Sequence, residues 1–148
     1  MLISALLAKK GHDVVTIDGL SNLGKAVELM SKNNIGAIIV VDRHGELTGL
    51  LAEREIITAL AARAAGVLEA PISNWMRRDV PTVMPETSVK DAMAIVTTAR
   101  TRHLPMIDHG RIVGVLSVGD LLKSRLEEKT QENLVLMDVA RWPPASVA

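Results

Sequence analysis

A strand-to-helix passage occurs twice in this chain, and that duplication restricts the fold more than any other feature. Gly110-Arg-Ile-Val-Gly-Val-Leu-Ser-Val-Gly-Asp120 has an earlier counterpart in Gly45-Glu-Leu-Thr-Gly-Leu-Leu-Ala-Glu-Arg-Glu55. In each copy one glycine closes a turn and a second, four residues on, lets another backbone come close. An apolar pair then leads to a turn that carries a carboxylate. The copies stay in step elsewhere: Thr16 falls on Thr82, Leu23 on Val89, Ala26 on Ala92 and Asp42 on Asp108, all 66 residues apart. Beyond the hairpin the offset is 65, because Asp42-Arg-His-Gly45 is one residue longer than Asp108-His-Gly110, and loops tolerate such changes.

Each half, about 55 residues, reads β-α-β-β-α, with a sheet too small to stand alone. The expected fold class is therefore α/β: tandem repeats packed through their sheets about a pseudo-twofold axis, with two equivalent clefts at the joint, where small ligands usually bind. Residues 2–9 read as a docking helix stopped by Gly11, and Val14–Ile17 as a strand of β-branched residues. Asn22 caps a helix to about Lys32, with Leu23, Ala26, Val27 and Met30 on one face. Ala37–Val41 is a buried strand, Leu47–Leu51 its hairpin partner, and a helix spans about Glu53–Ala65. Gly66–Pro71 links the halves, and Ile72–Met76 forms one helical turn. The second half repeats the order: a strand at Pro81–Val83, a helix opened by Ser88 with Asp91 three residues later, strands at His103–Ile107 and Ile112–Leu116, and a helix from Val118 to about Met137. Pro143-Pro144 bars its continuation, and the tail is expected to fray. The partition is 1–11 docking helix, 12–66 first repeat, 67–77 linker, 78–125 second repeat and 126–148 C-terminal extension.

Composition excludes several functions. Seventeen basic and 17 acidic residues cancel, so no long-range field gathers nucleic acid or an anionic membrane. Trp75 and Trp142 are the only aromatic residues, too few for a base-stacking platform. There is no cysteine for a disulfide or a thiolate metal site, so the expected location is the reducing cytoplasm. Lys9-Lys10 follow the apolar start instead of preceding it, the wrong polarity for a secretion signal, and no apolar run approaches the roughly 20 residues that span a bilayer. The histidines, at 12, 44, 103 and 109, show neither metal-ligand nor triad spacing, so no enzyme is expected.

The repeated pattern of V-x-T, a capped amphipathic helix, an apolar strand ending in Asp, G-x-x-x-G and a strand-to-helix turn resembles the CBS domain, and the tandem resembles a CBS pair, or Bateman module, over about residues 12–125. The lead-in Ala8-Lys-Lys-Gly-His-Asp-Val-Val-Thr16 and the turn Leu51-Ala-Glu-Arg-Glu55 are similar to stand-alone bacterial members. The resemblance implies a regulatory sensor that binds AMP, ADP, ATP, NAD or S-adenosylmethionine, forms homodimers packed as a disc, and acts on an unidentified downstream protein.

Ser117-Val-Gly-Asp120 matches the family's nucleotide signature, the carboxylate taking ribose hydroxyls and the serine and helix start facing phosphate. The same four residues also read as a helix cap. Arg102 and His103 resemble the paired basic residues that meet phosphate, Leu104-Pro105 an irregular strand whose backbone meets adenine, and Thr82 and Val83 further lining. The corresponding first site, Thr16, Ile17, Ala37, Ala52, Arg54 and Glu55, is degenerate, with Ala52 in place of the serine and Glu55 in place of the aspartate. Two rivals are a ligand-free dimerising scaffold and a P-loop phosphotransferase. The latter rests on Gly19-Leu-Ser-Asn-Leu-Gly-Lys25 before a helix and Ile38–Asp42 as a Walker B strand, but Ala26 stands where a magnesium-binding hydroxyl belongs and the second half lacks the glycines.

Overall fold

The structure, a computed structural model, describes residues 1–62 and 65–140. Helix α1, Ile3–Lys10, ends at Gly11, whose φ of 109° turns the chain and whose N–H returns to Leu7 O. Strand β1, Thr16–Asp18, leads to α2, Leu23–Asn33, which Asn22 caps by accepting from Lys25 N at 2.8 Å. Strands β2, Ala37–Val41, and β3, Leu47–Ala52, complete a sheet of order β1-β2-β3, parallel then antiparallel, and α3, Glu53–Ala62, follows without a loop. The helix ends before Ala65, which lies in a turn with Gly66, and the linker holds two short 3₁₀ turns, Val67–Glu69 and Ile72–Asn74. In the second repeat α4, Val89–Ala99, is capped by Ser88 Oγ accepting from Asp91 N at 3.0 Å. Strands β4, His103–Asp108, and β5, Arg111–Ser117, run antiparallel into α5, Val118–Ala140. Pro143-Pro144 and the expected frayed tail lie outside the described residues.

The strand expected at Pro81–Val83 reduces to one parallel bridge, Val83 to Met106, and proline is the reason. In the first repeat Ile39 N donates to Val15 O; the residues at those positions in the second are Pro105 and Pro81, and Pro105 has no N–H to give. Val83 N to Pro105 O and Ile107 N to Val83 O are what survives. The second sheet is therefore two-stranded with a single-residue rung.

Two cores form, and each is completed by the segment that precedes the other repeat. Ile3, Leu6 and Leu7 of α1 pack with Val83, Val89, Val96, Leu104, Leu116 and Leu121 of the second repeat. Val67, Ile72 and Met76 of the linker pack with Ile17, Leu23, Met30, Ile38 and Leu51 of the first. The swap explains why neither sheet stands alone, and both repeats receive the incoming segment at the equivalent glycine: Leu7 lies against Gly114 and Met76 against Gly49. Ile39 and Leu50, paired across β2 and β3, are buried yet belong to neither core. Strand alternation turns them away from Ile38 and Leu51, toward the joint between repeats. No helix among the described residues is long and apolar enough to cross a membrane.

Candidate functional site

At the joint lies an open cleft of about 1240 Å³. The first repeat lines it with Gly36 ahead of β2, Ala52 at the end of β3 and Glu53–Glu55 at the start of α3; the linker adds Trp75 and Arg77. The second repeat adds Ala99–His103, between α4 and β4, and Ser117 and Val118, where β5 becomes α5. Two local choices place these groups. Arg100 closes α4 in the left-handed region at φ 51°, as Asn34 closes α2, swinging residues 101–103 toward the partner repeat. Arg102 O then accepts from Val118 N at 2.8 Å, tying the start of β4 to the start of α5.

Four arginines and one histidine face two glutamates across this space. Arg77 is engaged, donating to Asp79 Oδ1 and Ala99 O, both at 3.2 Å. No hydrogen bond or ion pair among the described residues holds the guanidinium groups of Arg54, Arg100 and Arg102, which leaves positive charge free to meet an anion. The His103 pKa is lowered from its ordinary 6.5, first by burial and then by the Lys10 charge; Glu53 pulls it up, Arg102 lowers it and Asp120 raises it. The imidazole is accordingly neutral at pH 7. Below 6.5 the unfolded chain binds this proton and the folded chain resists it, so His103 contributes stability in full above pH 6.5 and loses it as pH falls through the folded value. Thermal unfolding measured from pH 7.5 to 5 is expected to show a falling midpoint, with a shallower fall in His103→Gln; parallel curves would remove His103 as the cause.

Ser117 and Asp120 cap α5 reciprocally: Asp120 N donates to Ser117 Oγ at 3.1 Å, and Ser117 N to Asp120 Oδ2 at 2.8 Å. The same oxygen accepts from Lys10 Nζ at 2.6 Å. Burial raises the Asp120 pKa, but Lys10 and the Ser117 bonds together outweigh it and leave it below its ordinary 3.8. In the first repeat Glu55 Oε2 accepts from Ala52 N at 2.9 Å, so the longer carboxylate keeps half of the cap although Ala52 supplies no hydroxyl.

The residues singled out from sequence thus part company. Arg102, His103 and Ser117 share one cleft with Ala52, Arg54 and Glu55, although the sequence assigns these two sets to different sites. Val83 and Leu104, 2% and 0% exposed, point into the second core, and Ile17 points into the first, so only their backbones remain to meet a ligand. Pro105 is buried, Thr16 and Thr82 are exposed, and Ala37 is half-buried; none of the four lines the cleft. Asp120 is not among the residues lining the cleft; its carboxylate accepts from Ser117 N and from Lys10. The sequence reading missed Trp75, Arg77, Arg100 and Lys10; the repeat offset carries no signal for them, since Arg77 corresponds to Gly11 and Arg100 to Asn34. In Gly19–Lys25, the segment of the rival P-loop reading, the Leu23 amide donates to Ala70 O and the Lys25 amide to Asn22 Oδ1. Among the described residues no cluster of acidic and histidine side chains is placed to hold a metal ion.

The family model described as CBS domain matches residues 9–62 and 72–127. The CBS-domain containing protein ATU1752 from Agrobacterium tumefaciens superposes with a TM-score of 0.81 at 33% identity, covering 84% of this chain and 99% of that one. The CBS domain-containing protein YhcV of Bacillus subtilis is 29% identical over 79% of this chain and 82% of its own length. The CBS domain pair of MJ0100, solved with 5′-methylthioadenosine and S-adenosyl-L-methionine, shares the fold with a TM-score of 0.75 at 24% identity, covering 88% of this chain and 98% of that one. Some curated relatives are much longer, and the chain spans 20% of one of them.

Proposed function

Since the chain belongs to the CBS domain family and carries that domain twice, a CBS-pair regulatory module, we propose that it senses an adenosine-containing nucleotide held between its repeats. One observation carries the reading: the unpaired guanidinium groups of Arg54, Arg100 and Arg102 converge on the inter-repeat cleft with more positive charge than Glu53 and Glu55 can match, as an anionic ligand requires, and His103 adds a hydrogen-bonding imidazole beside them. The ligands of the MJ0100 pair, both adenosine derivatives, support the adenosine part. In this reading Asp120 takes the ribose of the second site, Ser117, Arg102 and His103 meet phosphate, and the backbone of Thr82, Val83, Leu104 and Pro105 meets the base. Thr16, Ile17, Ala37, Ala52, Arg54 and Glu55 are the corresponding set of the first site. Signalling follows from population shift, because a nucleotide that prefers one arrangement of the repeats moves the equilibrium by its differential affinity. The working form proposed is a homodimer acting on a downstream protein. A second reading, a scaffold whose clefts stay empty, is favoured by Lys10, which already occupies Asp120.

Titrating AMP, ATP and NAD while following thermal unfolding separates the two. A ligand at a hundredfold its Kd adds about 2.7 kcal/mol, or roughly 5–10 °C for a chain of this size. Arg102→Ser is expected to cut the shift given by AMP while leaving the ligand-free midpoint within about 0.5 kcal/mol, since its side chain is exposed and unpaired. No shift with any of the three would favour the scaffold.

A further inference from the structure

The two strand-to-helix turns of a duplicated fold ought to be alike, and here one side chain makes them differ. The repeat offset carries Glu55 onto Asp120, Leu50 onto Val115 and Met76 onto Lys10. In the first repeat Met76 is buried in the core, Leu50 exchanges backbone hydrogen bonds with Arg77, and among the described residues no cation pairs with Glu55, which lines the joint cleft. In the second, Lys10 reaches from the last turn of α1 across to the other repeat. Its ammonium donates to Asp120 Oδ2 at 2.6 Å and to Val115 O at 2.7 Å.

We propose that Lys10 is both the gate and the phosphate selector of the nucleotide site of the second repeat: it holds Asp120 until a ligand arrives, and a nucleotide binds by exchanging the two halves of the ion pair. This rests on the reading that Asp120 takes the ribose. Ribose hydroxyls then displace the ammonium from the carboxylate, and the ligand phosphate receives the ammonium released. A nucleoside replaces only the first contact and leaves Lys10 with Val115 O alone, a charged donor robbed of its anion. Both partners are accessible enough for such an exchange, with 39% of the Lys10 side chain and 26% of that of Asp120 exposed. Because Lys10 belongs to α1, occupancy also changes what holds that helix against β5, which couples the site to the start of the chain.

The test is calorimetric binding of AMP and of adenosine to the full chain, unaltered and as Lys10→Met. The unaltered chain is expected to prefer AMP by about tenfold, the worth of one partly exposed charge-assisted contact. In Lys10→Met adenosine binds several-fold tighter, AMP more weakly, and the ratio falls below about twofold; Lys10→Arg, which keeps the charge, restores most of the preference. Unfolding midpoints of all three check that the variants fold. If both ligands bind and Lys10→Met leaves their ratio unchanged, the gate is wrong and the nucleotide reading stands. If neither ligand binds the unaltered chain, both fall together.

Discussion

Truncating Leu7 to Ala is expected to cost about 2–5 kcal/mol, and the damage should appear in the repeat that lies farther along the chain. Leu7 is 1% exposed and is part of the core made by Val83, Leu104, Leu116 and Leu121. A buried leucine cut to its Cβ loses its transfer energy and leaves a cavity that a two-stranded sheet with one extra rung has little means of closing. Ile72→Ala is the mirror experiment: Ile72 is fully buried with Ile17, Leu23, Ile38 and Leu51, so the loss of a linker side chain falls on the first repeat. Chemical denaturation gives the sizes and amide hydrogen exchange gives the places. With Leu7→Ala, exchange should quicken in β4, β5 and α4 more than in β2, β3 and α2. Faster exchange confined to the first repeat would mean that α1 docks on the sequence it precedes, and the swapped arrangement would be lost.

That arrangement marks the boundary of what the sequence discloses. The caps at Asn22 and Ser88 are legible because a cap is a contract among four consecutive residues, and α5 begins at Val118 for the same reason. Residues 2–9 announce a docking helix through their apolar content, but its destination depends on Leu7 meeting Gly114, more than a hundred residues away. The missing strand at Pro81–Val83 has the same origin, since the fault lies in Pro105 of a different strand. At the site, Arg102, His103 and Ser117 are found by motif, whereas Val83 and Leu104 are carried along with them although β-strand alternation sends both into the core. Lys10 lies in the lead-in Ala8–Thr16, but nothing in that stretch points to Asp120. Its importance comes from distance alone, 2.6 Å to a carboxylate that sequence reasoning treats as free for a ligand.

The second glycine of each repeated passage separates backbone from side-chain crowding, and the two sites should respond differently to the same methyl group. A Cβ on Gly114 would stand 2.5 Å from Leu7 Cδ2, and one on Gly49 would stand 2.6 Å from Met76 Sδ but also 2.8 Å from Arg77 O. Neither residue has a positive φ, so the conflict is one of space and not of backbone conformation. Each Gly→Ala change is expected to cost about 1–3 kcal/mol by overpacking. Pairing Gly114→Ala with Leu7→Ala removes the obstacle, so the double variant should be more stable than the sum of the single losses by at least about 1 kcal/mol. Pairing Gly49→Ala with Met76→Ala leaves the Arg77 carbonyl in place. That carbonyl is fixed by accepting from Leu50 N at 2.9 Å while Arg77 N donates to Leu50 O at the same distance, so most of the Gly49→Ala cost should persist. Equal rescue in both cycles would show that the Arg77 backbone yields, and that the close approach of linker to β3 does not require glycine.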